Sequence, residues 1–428
     1  MVGAQVKPNG GYSQSKSIAI VSWHFPVRSE TFVLDHALGM AKRGWNVHSV
    51  SQGPGSGFSE AELGSIAEAG VSLHHLGEYP QKQYSKALMI ASQPRSIVQK
   101  FRMERRKTSW TLFELAAATR TMKYLESLNP QVVHCHFGAV AGPLVSAGLS
   151  AENLLVTWHG YDSDVIPHKR GTGIYQKLFA SPATHTANSR FLSNRLAQLG
   201  ADRYSIVRVP MGVDLDRFSI RSGPPLDANP LRILSVGRLA EMKGHRFLIE
   251  AICDLLDIGV PLRLDIVGDG PLAAELECLI QARGHGDSVA LLGSQPHDRV
   301  RSEMSKCHLF ALTGVCEPTG QVETQGVVFV EAQATGRPVV ASNVGGVKEV
   351  VEDGRTGILC EPGNIDSIKN ALCYFHENRA ALERFGSSGR KHVEESLSIN
   401  QMLESFDALY MDRLRHRHSP NNYRKHVL

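Results

Sequence analysis

No run of eighteen apolar residues, the length a membrane-crossing helix needs, occurs in this 428-residue chain, so no transmembrane helix is expected. Cysteine is sparse: seven residues, an odd total, are scattered with no C-x-x-C pair. That excludes a disulfide framework and suits a reducing cytosol. Charge of one sign is also scarce. The formal net charge is +4, too mild to imply nucleic-acid binding. The opening MVGAQVKPNGGYSQSK lacks the apolar centre of a signal peptide and reads as a disordered lead-in over 1–16. The first strand–helix unit has no G-x-G-x-x-G, which argues against a dinucleotide-binding dehydrogenase. No acidic pair stands out as a D-x-D-type metal site.

What remains is an ordinary globular composition, 42% hydrophobic and 21% charged, long enough for two domains of roughly 200 residues each. Ser17–Ser22 is a short apolar run that predicts a first parallel strand. A helical pattern through Leu34, Leu38 and Met40 follows, with Ser29 or Thr31 as its cap, and Trp45–Val50 predicts a second strand. Gln131–His136, Leu154–Trp158 and Ile206–Val209 continue the series, and Thr186–Ser189 reads as strand and cap. His134, Cys135 and His136 are adjacent but lack a second ligand cluster, so no metal is expected. His159 stands at the end of a parallel strand beside Gly160, where ligand clefts form in α/β sheets.

A Pro- and Gly-rich linker spans 221–230 and divides a first domain, 17–220, from a second, 231–400. The remaining 401–428 reads as a helix that crosses back, then a basic tail frayed from Arg413. In the second domain a strand ends at Gly237, and Arg238 and Lys243 flank the loop before a helix. Two cations near a helix N-terminus have the charge and reach of a diphosphate clamp. Gly268-Asp269-Gly270-Pro271 makes another strand-ending turn, with Pro271 suited to the first helical turn.

The stretch from Cys316 to Ser342 carries Glu323 and Glu331, with Gly326 and the apolar Val327-Val328-Phe329-Val330 between them. It reads as a loop, a buried helix, a stop at Gly336-Arg337-Pro338 and a strand. The helix N-terminus near Gly326 and Val327 offers unpaired N–H groups to a phosphate. Carboxylates on either side of that site would accept from hydroxyls. A phosphate flanked by hydroxyls describes a nucleotide sugar. Glu331 follows an apolar run, so it is expected to be buried and to need a partner.

The spacing of Glu323 and Glu331, with Gly326 inside and Ala332-Gln333-Ala334-Thr335-Gly336-Arg337-Pro338 following, resembles the retaining glycosyltransferases of family 4, in the bacterial exopolysaccharide and colanic-acid branch. The loop Gly237-Arg238…Lys243-Gly244 and the N-terminal Phe25-Pro26…Ser29-Glu30-Thr31-Phe32 resemble the same family. The likeness covers nearly all of the chain outside the lead-in, the basic stretch Lys82–Lys107 and the tail. It implies an α/β GT-B fold, two Rossmann-like domains whose parallel sheets face each other across a cleft.

The resemblance also implies roles. Arg238 and Lys243 would hold the leaving diphosphate, with Gly237, Gly326 and Val327 in the donor site. Glu323 would bind the transferred sugar and Glu331 the ribose, while His159 would contact the donor sugar. Ser29, Glu30, Thr31 and His136 are acceptor-side candidates. The expected reaction is metal-independent, retaining hexosyl transfer from a nucleoside-diphosphate sugar to a saccharide or lipid-linked saccharide, with no cofactor and no nucleic-acid partner. A sugar-nucleotide epimerase of the same fold and an inactive nucleotide-sugar-binding protein are the alternatives. One departure, Thr324-Gln325-Gly326-Val327-Val328 before the second glutamate, leaves the donor open. Lys82–Lys107, basic with apolar residues interleaved, reads either as a solvated face or as a contact to an anionic membrane. The expected location is cytoplasmic, with a peripheral place on the inner membrane in the second case.

Overall fold

The computed structural model describes residues 16–55, 58–77, 109–220 and 223–416. The expectations for the lead-in before Lys16, for Lys82–Lys107, for Arg221 and Ser222 and for 417–428 lie outside the described residues.

The first sheet holds β1 (Ser17–Val21), β2 (Asn46–Ser51), β3 (Val71–His75), β4 (Val132–His136), β5 (Leu154–Trp158), β6 (Thr184–Ala187) and β7 (Ile206–Arg208). Its order is β3-β2-β1-β4-β5-β6-β7, and every pair is parallel. The second holds β8 (Leu231–Val236), β9 (Leu262–Val267), β10 (Val289–Leu291), β11 (Leu309–Leu312), β12 (Val339–Ser342) and β13 (Gly357–Cys360) in the order β10-β9-β8-β11-β12-β13, also parallel. Central strands such as β4, β5 and β11 are buried along their whole length. Strands covered on both faces carry continuous apolar runs, and that makes them readable from sequence. β3 is an edge strand, VSLHH, largely half-buried, and no apolar run announces it.

The strand order reverses between β1 and β4 and again between β8 and β11. Such switch points open crevices beyond the strands' C-terminal ends. The loops after β1, β4, β8 and β11 therefore border the clefts.

The final helix, Ile399–His416, packs Met402, Leu403, Phe406 and Tyr410 into one core with Ile18, Ile20, Met40 and Trp45 of the first sheet and its helix. Trp45 Nε1 donates to Asp407 Oδ1 at 2.7 Å. Fraying does not begin at Arg413, as expected from sequence. That side chain is buried and donates to Glu152 O at 2.6 Å and Pro182 O at 3.1 Å.

Two local expectations are corrected. Neither Ser29 nor Thr31 caps the helix Thr31–Lys42. Glu30 occupies the cap: its carbonyl accepts from Val33 N at 3.0 Å, and its side chain makes no capping hydrogen bond. Pro271 lies before the helix Ala273–Ala282, since Leu272 N is held by Leu239 O at 3.1 Å in the preceding turn.

Candidate active site

On the second-sheet side, β8 runs into Gly237 and Arg238, and a short turn, Glu241–Lys243, leads to the helix His245–Asp257. Glycine is required here. A Cβ on Gly244, at φ +65°, would fall 1.9 Å from Thr313 O, well inside contact distance. Lys243 Nζ meets Glu323 Oε2 at 2.5 Å, both side chains partly buried. Arg238 is exposed, and its side chain has no hydrogen-bond or ion-pair partner among the described residues. Gly326 sits at φ +78° as the N-cap of the helix Val327–Ala334, and no side chain caps that end. Its first N–H groups are thus open to an anion.

Glu331 differs from its expectation. It is half-buried and has no side-chain partner among the described residues. Loss of water raises its carboxyl to about 8, the Asp35 carboxylate adds to this, and Arg301 opposes it.

The residues after Glu323 tie the two halves together. Gln325 Oε1 accepts from Met211 N at 2.8 Å, and Gln325 Nε2 donates to Met211 O at 2.8 Å. Asn188 Nδ2 donates to Thr324 Oγ1 at 3.1 Å, and Thr324 Oγ1 donates to His159 O at 3.4 Å. Gly160, at φ +106°, leaves room for this contact, since a Cβ there would meet Thr324 Cγ2 at 2.7 Å. The departure at Thr324-Gln325 is therefore a stitch between domains. It sets His159 beside the loop that carries Glu323 and, through it, Lys243.

His159 lies between two rings, 4.4 Å from Phe32 and 4.6 Å from Phe137. Phe137 holds φ +76°, an unusual conformation for a bulky side chain. The Asp162 carboxylate accepts from Gly138 N at 2.7 Å and from His159 N and Gly160 N at 3.1 Å each. Burial raises that carboxyl to about 6 although these N–H groups favour its charge.

Beside it a cleft of about 680 Å³ is lined by Trp23, Glu30, Phe137, Tyr161 and Lys169, among others. Burial raises the Glu30 carboxyl to about 7. Of the acceptor-side candidates, Glu30 alone lines this cleft; Ser29 and Thr31 do not. His136 cannot line it either. It is buried behind His159, with His136 Nδ1 and His159 Nε2 3.1 Å apart.

His36, His134 and His136 offer ring nitrogens within 4.8 Å of one another, close enough to suggest a metal. The nitrogens of these rings are instead engaged with each other, His159, Tyr410 and Thr157. A metal would have to displace those bonds. Burial holds all three imidazoles well below their ordinary pKa, hence neutral. Sequence reading missed His36, Tyr410, Phe137, Tyr161 and Gln325. Gln325 stood inside the motif, while the others carry no local signal.

Two family models tile the chain. "Glycosyltransferase Family 4" matches residues 29–217 and "Glycosyl transferases group 1" matches 216–392. The chain is 26% identical over 410 residues to the amylovoran biosynthesis glycosyltransferase AmsK of Erwinia amylovora, covering 92% of this chain and 99% of AmsK. It is 29% identical over 401 residues to WcaL of Escherichia coli K12, a glycosyltransferase assigned to colanic acid biosynthesis, covering 89% and 97%. In fold it is similar to a glycosyltransferase from Rickettsia africae (TM-score 0.70, 18% identity, 94% and 99% covered). It is also similar to HepE of Anabaena, solved with UDP (TM-score 0.69, 18% identity, 93% and 100% covered).

Proposed function

The chain belongs to glycosyltransferase family 4, with the GT-B fold, and on that footing we propose that it moves a hexosyl group, with retention and without a metal, from a nucleoside-diphosphate sugar to a saccharide acceptor. The observation that carries this reading is the exposed Arg238, without a side-chain partner among the described residues, together with Lys243 on a glycine-built loop. A second-domain helix with an uncapped N-terminus lies just beyond Glu323. Breaking the anomeric C–O bond puts negative charge on the leaving diphosphate. Preorganised cations and N–H groups stabilise that charge where it develops, typically by several kcal/mol. Two side-chain cations take the part that a metal plays elsewhere.

Retaining glycosidases use one of two close carboxylates as a nucleophile. Here the Glu323 carboxylate is held by Lys243, which leaves it badly placed to attack. The departing phosphate is better placed to take the acceptor's proton on the same face. Glu323 then binds sugar hydroxyls and Glu331 the ribose, while His159 contacts the donor sugar. The cleft with Glu30, Trp23 and Tyr161 receives the acceptor, since aromatic faces suit the apolar faces of sugars.

HepE binds UDP and, in a second structure, UDP-glucose, and AmsK and WcaL are named for exopolysaccharides. These names support a nucleotide-sugar donor and a role in surface polysaccharide synthesis on a lipid-linked acceptor. No helix among the described residues is long and apolar enough to cross a membrane. On this reading a lipid-linked acceptor is met at the membrane surface, with the basic stretch Lys82–Lys107 as the contact.

Thermal-shift binding against UDP-, GDP- and ADP-sugars, with and without EDTA, tests the donor site. A ligand that binds the native state raises the melting temperature by mass action. The expected result is an EDTA-insensitive shift with one nucleotide class that is lost in Arg238→Ala. No shift with any nucleotide sugar at millimolar concentration would overturn the reading.

A further inference from the structure

One row of side chains runs through the first domain to His159. Thr186 Oγ1 and Thr157 Oγ1 are 2.6 Å apart, and Thr157 Oγ1 and His134 Nε2 2.6 Å. His134 Nδ1 lies 2.5 Å from Tyr410 Oη, which lies 2.7 Å from His36 Nε2. His36 Nδ1 is 2.9 Å from His136 Nε2, and His136 Nδ1 is 3.1 Å from His159 Nε2. Every member but His159 is buried, and His159 is half-exposed.

The proton count of such a row is strict. Burial keeps all four imidazoles neutral, so each has one N–H and one lone pair. Each hydroxyl has one hydrogen. If every hydrogen in the row is to find an acceptor, the bonds must all point one way. Pointing toward Thr186 leaves its hydroxyl hydrogen with no acceptor among the described residues, at a fully buried position. A buried donor left unmade costs roughly 1–3 kcal/mol. Pointing toward His159 leaves only a spare lone pair on Thr186, which is cheaper. The last N–H then emerges at His159 Nδ1, which has no partner among the described residues.

We propose that this row fixes His36, His134, His136 and His159 together as Nδ1–H tautomers, and that it thereby presents His159 to the bound nucleotide sugar as a hydrogen-bond donor. Thr186, His134, Tyr410 and His36 are positioning residues; none reaches the substrate. Tyr410 belongs to the last helix, so that helix closes the row. The consequence for the substrate rests on the donor-sugar reading of His159, whereas the tautomer assignment does not.

Long-range proton–nitrogen NMR on the full chain with labelled histidine, at pH 7 and without ligand, reads the tautomers directly. The expected result is Nδ1–H at all four rings. Nε2–H at His159, or equimolar zinc in the purified protein, would overturn the proposal. Tyr410→Phe cuts the row while keeping the ring. His159 should stay Nδ1–H, because the reverse would leave a buried His36 Nε2–H unmade, while His134, now with an unmade hydrogen in either direction, should show both tautomers. Nε2–H at His159 in this variant, or a single tautomer at His134, would also overturn it. If the tautomers are as expected and no nucleotide sugar binds, the donor reading fails and the row stands.

Discussion

Carboxyl groups at the cleft meet scarce water in different ways. Glu323 is paired with Lys243, whereas Glu331 and Glu30 have no such partner among the described residues and are raised to about 8 and about 7. For Glu331 the native state holds its proton more tightly than the unfolded chain, whose value is near 4.5. Between those values unfolding releases a proton, so this group's contribution is fully present below pH 4.5 and is lost as pH rises through about 8. Glu331→Gln should therefore melt above wild type at pH 9 and with it at pH 4; thermal melts across that range check the sign. Lys243→Met should lower kcat by about 10²–10³-fold, the usual effect of removing one group that stabilises developing charge. Steady-state kinetics at saturating donor would test this. The sequence offered Lys243 and Glu323 as separate ligand contacts. That they pair with each other, 80 residues apart, is a fact of folding.

The loop from Glu323 to Gly326 is an element without regular structure, held by backbone contacts on both sides. Gly346 N donates to Glu323 O at 3.1 Å, and a Cβ on Gly346 would fall 1.8 Å from Thr324 O. Gln325 satisfies both backbone groups of Met211. Gln325→Leu keeps the bulk and leaves a buried N–H and C=O unpaired, at a cost of about 1–3 kcal/mol for each group. Chemical denaturation should show that loss, with a raised donor KM because Glu323 is no longer held. Unchanged stability and KM would mean the stitch carries no strain. This loop was legible as a ligand-binding turn from Gly326 and the two glutamates. Its second task was not, because Thr324 and Gln325 resemble ordinary polar loop residues until their partners, Asn188, His159 and Met211, are brought to them.

At the scale of the molecule, the second domain caps a helix of the first. Glu349 Oε2 accepts from Arg190 N at 2.9 Å and Oε1 from Phe191 N at 3.1 Å, at the start of the helix Arg190–Gln198. A carboxylate there satisfies open N–H groups and the helix dipole. Glu349→Ala should cost about 1 kcal/mol and let the domains part. Small-angle scattering should then give a larger radius of gyration without donor; an unchanged radius would show that the remaining contacts between the domains suffice to hold the closure. The sequence by itself determined the alternation of strand and helix, the loops ending in Gly237 and Gly268, and the motif around Glu323. Strand runs, caps and turns are set by residues a few positions apart, and such patterns are written locally. Only the tertiary structure decided which groups face each other across the sheets. It moved His136 behind His159, gave Glu30 the helix cap and the cleft, and joined His36 to Tyr410, 374 residues away. Burial and hydrogen-bond partners at such distances depend on how the whole chain packs, and no local pattern records them.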